Sequence, residues 1–304
     1  MSANPPACPP AWLTRALASA GESCLVEVAG TPIHYLRWGA RANPGLALIA
    51  GAGGHAHWFD AIAPLLAEQY HVIAIDPGGC GDSGHRAAYA TELVITEIMA
   101  ACADAGLLSA PAAPVLVGHS AGGQFALRAA LAHGAALRGV IALDALRYAE
   151  LPGDPALRPR EARPMRAPRL HADRASAVAR FRFTPEPRVP IGLPALTDAI
   201  AGHSVREYPG GWGWKFDPGF GAILSAGLDL RDRLGEIRCR VAAIYGEHTH
   251  IAGPDAVARV GALGGGRVAT FVIPGAGHYP MLDSPLACVA ALRGVLAAWD
   301  ACAP

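Results

Sequence analysis

Residues 115–134 read VLVGHSAGGQFALRAALAHG. An apolar run of strand character meets Gly118-His119-Ser120-Ala121-Gly122, and a run of small and apolar residues of helix character follows. A strand that turns this abruptly into a helix needs glycine where side chains would collide. It also needs a sheet on which the strand end is a place of interest. That combination points to a parallel α/β architecture.

The rest of the chain has the same rhythm. VEVAG (26–30), IHYLRW (33–38), LALIAG (46–51), HVIAID (71–76), GVIALD (139–144), VAAIYG (241–246) and VATFVI (268–273) read as further strands. The later ones are apolar on both faces, as in a sheet covered by helices on each side. Segments 60–69, 91–108, 121–133, 254–263 and 285–300 read as the helices between them. This alternation predicts an α/β fold with a mostly parallel central sheet and flanking helices. The rhythm fails between Asp144 and about Gly235, where prolines and arginines are dense. The expectation is a core of residues 1–145 and 223–304 and an inserted helical cap over 146–222. Residues 176–183 are the best candidate for a helix in that insertion.

The charge balance is even, with 25 basic and 25 acidic residues, which argues against a nucleic-acid binder or an anionic-membrane binder. The seven cysteines form no CxxC pair and read as free thiols of a reducing compartment. No apolar run reaches the roughly 20 residues that span a bilayer, and the proline-interrupted start does not resemble a secretory signal. A cytoplasmic protein is expected. Lys215 is the only lysine, which makes it worth tracing.

Gly118-x-Ser120-x-Gly122 between strand and helix is the arrangement that lifts a serine hydroxyl out at a sheet edge. The helix N-terminus then aims its N–H groups and positive dipole end at the site, so the N–H of Ala121 can stabilise an oxyanion. Serine needs a base to act as a nucleophile near neutral pH. PGAGHYPMLDSP (274–285) places His278 in a glycine-rich loop after the last strand, and histidine titrates in the right range.

On these motifs the chain resembles the α/β-hydrolases over nearly its whole length. The resemblance implies that Ala50-Gly51-Ala52-Gly53-Gly54 stands at the oxyanion loop, with Ala50 where the family has a histidine. The second oxyanion donor is then the N–H of Ala52, or alternatively that of Gly53. DPGGCGDSG (76–84) is similar to the loop after the family's next strand. It implies no cofactor and no metal.

The resemblance leaves the acid open. In most of the family it follows the strand that here ends YGEHTHI, yet that position holds Thr249. Some members, haloalkane dehalogenases and a zearalenone-type lactonase among them, carry the acid after the strand that follows the nucleophile helix. Here that residue is Asp144. We expect Asp144 to orient the histidine, with Glu247 as the alternative acid. Two HxH pairs, His55-Ala56-His57 and His248-Thr249-His250, have spacing that can chelate Zn²⁺ on a strand. Both fall in loops that the hydrolase topology already accounts for, and no metal is expected there. His57, Trp58, Trp212, Trp214 and Tyr279 are the expected walls of a substrate pocket. Lys215 and Asp217, two apart in GGWGWKFDP, are expected to anchor the insertion, with a direct pair between them feasible.

The implied activity is hydrolysis of a small-molecule ester or lactone through an acyl-enzyme. A thioesterase or a C–C bond hydrolase would use the same triad. A ligand receptor on the same fold and a metallohydrolase are the readings from other classes.

Overall fold

The apolar segments assemble as strands β1 (Glu22–Val28), β2 (Thr31–Trp38), β3 (Gly45–Ile49), β4 (His71–Ile75), β5 (Val115–His119), β6 (Gly139–Leu143), β7 (Val205–Tyr208), β8 (Gly211–Trp214), β9 (Arg240–Gly246) and β10 (Val268–Ile273). This is a computed structural model that describes residues 8–109, 113–146, 170–225, 233–250, 254–262 and 268–301. Eight of the strands form one sheet in the order β1-β2-β4-β3-β5-β6-β9-β10. Only the β1–β2 and β2–β4 pairs are antiparallel. All others run parallel.

Strands β3, β4, β5 and β6 are buried at every position. This is why they read as continuous apolar runs instead of alternating ones. The pleat still sorts their side chains. Ala47, Ile49, Ile73, Ile75, Leu116 and Val140 face one apolar layer. Helices α3 (Thr91–Asp104) and α4 (Ala121–His133) fill that layer. Leu46, Leu48, Val72, Ala74, Val117 and Ile141 face the other. There α1 (Ala11–Ala18), α2 (Ala63–Leu66) and the long α10 (Pro285–Ala301) supply Leu13, Leu66, Leu292 and Leu296. Helix α1 was not legible in the proline-rich N-terminal segment. It starts directly after Pro10 and buries only Leu13 and Ala16, a pattern too short to show as a period.

Between β6 and β9 the chain leaves the sheet. Its described part holds α5 (Arg174–Ala179), α6 (Pro194–His203), the β7–β8 hairpin and α7 (Gly221–Ser225). The insertion is therefore not purely helical. Pro209-Gly210 forms the hairpin turn, with Gly210 at φ +95°, the arrangement of proline then glycine that closes a type II turn. The expected helix at 176–183 forms over Arg174–Ala179, capped by Asp173, whose carboxylate accepts from the Ser176 N–H at 2.7 Å. Residues 147–169, which include several of the arginines, lie outside the described residues.

Polar contacts fasten the insertion to the loop after β4. Lys215 pairs with Asp82 at 2.6 Å. Asp217 accepts from the Tyr89 hydroxyl at 2.6 Å, and its own N–H donates to Gly79 O at 2.7 Å. The two residues thus do not pair with each other: each reaches across to the core. Among the described residues the remaining α-helices are α8 (Pro254–Ala262) and α9 (Pro280–Asp283). Among the described residues no helix is long and apolar enough to cross a membrane.

Candidate active site

Ser120 stands between β5 and α4 with φ +50° and ψ −120°. A non-glycine residue pays roughly 1–3 kcal/mol to sit there, so its surroundings must hold it. Its N–H donates to Leu143 O on β6 at 3.0 Å, and its carbonyl accepts from Gly123 N–H at 3.0 Å. The flanking glycines allow the approach. A Cβ on Gly118 would lie 2.3 Å from Gly122 O, and one on Gly122 would lie 2.4 Å from both Ala50 O and Ile49 O. The sharp turn that the sequence implied is therefore also a close packing of α4 against β3.

Asp144 follows β6 directly and, like Ser120, has positive φ (+48°). It is fully buried. His278 Nδ1 donates to its carboxylate at 2.5 Å, across 134 residues of sequence. With Nδ1 committed to Asp144, Nε2 is the ring nitrogen left to carry the basic lone pair. The carboxylate also accepts from the Thr249 hydroxyl at 2.6 Å and from Gly246 N–H at 3.3 Å. Burial pushes its pKa up to about 6, against the pull of the Thr249 bond and of the nearby histidines.

Strand order explains how the two side chains meet. Asp144 leaves β6 and His278 follows β10, with β9 between them. Gly246 at the end of β9 keeps the gap open, since a Cβ there would lie 2.1 Å from Gly277 O. Asp283 on α9 accepts from Gly277 N–H at 3.0 Å and shapes the His278 loop. Glu247, the alternative acid, is exposed and accepts instead from Gly275 N–H at 2.8 Å. Its carboxylate braces the turn before His278.

His119 ties this loop to the serine turn. It is buried, and its Nε2–H donates to the carbonyl of His278 at 2.7 Å. Burial pulls its pKa down to about 3, so it acts as a neutral strut. The Ala50–Gly54 segment folds into a turn in which Gly54 N–H donates to Gly51 O at 3.0 Å and Gly53 takes φ +73°. Among the described residues the N–H groups of Ala52, Gly53 and Ala121 have no acceptor. Ala121 opens α4, where the first N–H groups have no partner within the helix. Buried Asp76 holds the far end of this loop, accepting from Ala56 N–H at 2.7 Å, from Asp82 N–H at 3.0 Å and from His34 Nδ1 at 2.8 Å.

A cavity of about 350 Å³ opens beside Ala52 and Gly53. Trp58 and Trp214 line it, with Phe181, Phe216 and His55. The other expected wall residues are placed differently. His57 bonds Asp60 at 2.9 Å and stacks on His203. Trp212 pairs with His171 in a β-bridge. Tyr279 is buried behind the cavity, its hydroxyl donating to Pro185 O at 2.7 Å and its ring 4.9 Å from that of His278. The sequence reading missed His55 and the role of Thr249. Buried His55 bonds Ser204 Oγ at 2.8 Å, and burial pulls its pKa down to about 3. The signal for Thr249 was present: a short hydroxyl side chain at the position where the family carries its acid.

The two HxH pairs are not chelates in this geometry. His55 and His57 have separate partners, and their rings lie 5.9 Å apart at 68°. His248 is exposed, 3.9 Å from Glu247, whereas the His250 ring lies 5.2 Å from that of His278.

Comparison with known proteins agrees with this architecture. The thioesterase domain from the curacin biosynthetic pathway superimposes with a TM-score of 0.74 at 20% identity, covering 90% of this chain and 100% of that one. E-2-(acetamidomethylene)succinate hydrolase gives 0.73 at 22% identity, covering 90% and 98%. A thermophilic esterase from Thermogutta terrifontis gives 0.68 at 20%, covering 91% and 99%. Likeness at this level of identity concerns the fold. A profile of the alpha/beta hydrolase family matches residues 46–291, and the chain belongs to that family.

Proposed function

We propose that this chain is a serine hydrolase that cleaves a small-molecule carboxylic ester or lactone. The observation that carries the proposal is the buried Asp144–His278 pair, joined through His119 to the strained Ser120 turn. Ser120 Oγ attacks the acyl carbon while His278 Nε2 takes its proton. Asp144 holds the Nδ1–H tautomer and stabilises the imidazolium that forms. The N–H groups of Ala121 and Ala52, with Gly53 beside them, receive the negative charge of the tetrahedral intermediate. His278 then protonates the leaving alcohol and activates the water that releases the acid. The insertion acts as a cap over this edge, and the largely apolar cavity, with Trp58, Phe181, Trp214 and Phe216 in its wall, favours an apolar acyl or alcohol group. No step requires a metal or cofactor. The same machinery serves thioesters, the substrate class named for one structural relative.

A fluorophosphonate probe tests this directly. Stoichiometric labelling of the wild type and none of Ser120→Ala is the expected result. Failure to label, with tight binding of an ester left unhydrolysed, would instead identify a receptor on this fold. Activity that resists the probe and disappears in EDTA would identify a metallohydrolase. A panel of p-nitrophenyl esters, lactones and thioesters ordered by chain length then reads the cavity.

A further inference from the structure

Away from the serine, a second group of chemistry-bearing side chains bridges core and insertion. His57 and Asp60 belong to the segment that follows the oxyanion loop. His203 is the last residue of α6. A nitrogen of each histidine and an oxygen of Asp60 all lie within 4.8 Å of one another. The His57 and His203 rings are stacked, with centroids 3.5 Å apart at 12°.

We propose that His57, Asp60 and His203 form a Zn²⁺ site that clamps the insertion to the core beside the cavity. Two imidazole nitrogens and one carboxylate are a ligand set that Zn²⁺ accepts, with water completing a tetrahedron. The side chains of His57 and Asp60 are 17% and 18% exposed, so the ion has a path from solvent. Bonds of about 2.0–2.2 Å require the donors to close in and the stacked rings to fan apart. His203, exposed at a helix end, has the freedom to do this. That end is the C-terminus of a ten-residue helix, where the dipole favours a cation. The position gives the ion a consequence. Ser204, next to His203, bonds cavity-lining His55, so fixing α6 also fixes that wall.

The test uses the full chain stripped with EDTA and then titrated with ZnCl₂ by calorimetry and thermal unfolding at neutral pH. One Zn²⁺ per chain is expected, with Tm rising by about 3 °C at saturating ion. His203→Ala and Asp60→Asn should each lose affinity by at least roughly tenfold, the scale that even loss of an outer-shell partner carries. His248→Ala, at the exposed second pair, should bind like the wild type. Absence of binding to the wild type overturns the proposal. So does binding that survives both His203→Ala and Asp60→Asn, or that depends on His248. Folding of each variant is checked by its Tm in EDTA. None of these readouts uses the hydrolytic reaction, so they stand apart from the function proposed for Ser120.

Discussion

Thr249 provides the sharpest test of the proposed site. Thr249→Val keeps the shape of the side chain and removes the hydroxyl that donates to Asp144 at 2.6 Å. A hydrogen bond to a charged group contributes about 1.5–3 kcal/mol. The proposed reaction passes through an imidazolium that needs Asp144 ionised. Losing the donor should therefore lower kcat/KM by about 10-fold to 100-fold, since 1.4 kcal/mol is a factor of ten. The pH dependence carries a sign as well. Burial already raises the pKa of Asp144 to about 6, and the Thr249 bond works against that rise. Without it the protonated form gains, so the acid limb of the kcat/KM profile should move upward by about 1 to 2 pH units. Thr249→Ser should restore most of the rate and return the limb. The assay is initial-rate hydrolysis of a p-nitrophenyl ester from acid to neutral pH. A Val variant within about twofold of the wild type, with an unmoved limb, would refute the view that Thr249 sustains the acid.

Asp144→Asn should lower kcat by about four orders of magnitude with little change in KM, whereas Glu247→Gln should leave both nearly unchanged; the reverse pattern in steady-state kinetics would move the acid to Glu247. Gly122→Ala places a methyl 2.4 Å from two backbone oxygens that cannot give way, so it should cost about 3 kcal/mol or more, read as a lowered urea midpoint. Lys215→Met breaks the pair with Asp82, which is partly exposed; it should cost no more than about 1 kcal/mol by denaturant melt, and a larger loss would mean that the pair holds the insertion in place. Trp214→Ala should enlarge the cavity and shift preference toward bulkier acyl groups; unchanged selectivity across the ester panel would make Trp214 purely structural.

Much of this fold was legible because its signals are local. The sheet strands between Gly45 and Leu143 are buried on both faces, so their apolar runs stand out without knowledge of their neighbours. The β7–β8 hairpin was missed because its four-residue strands are too short to show alternation, although Pro209-Gly210 marked the turn. Among the candidate residues, Ser120 and His278 announced themselves through the glycines around them. His57 illustrates the opposite case. Its side chain could have faced the cavity or the insertion, and contact with His203, far along the chain, determines which.

By itself the sequence determined the Ser120 turn, the His278 loop and the lack of an acid at position 249, since each depends on which residue types stand in one short stretch. Only the tertiary structure shows which of the two carboxylates, Asp144 or Glu247, lies against His278. Parallel pairing sets Leu143 beside Ile244, so the chain leaving β6 and the chain leaving β9 emerge as lateral neighbours. A carboxylate on either can point toward the His278 loop. In this chain the carboxylate comes from Asp144, and the vacated position contributes the hydroxyl of Thr249 to hold it. A buried carboxylate needs donors around it, and those donors come from a strand end about 100 residues away in sequence, a distance that only the register of the sheet can close.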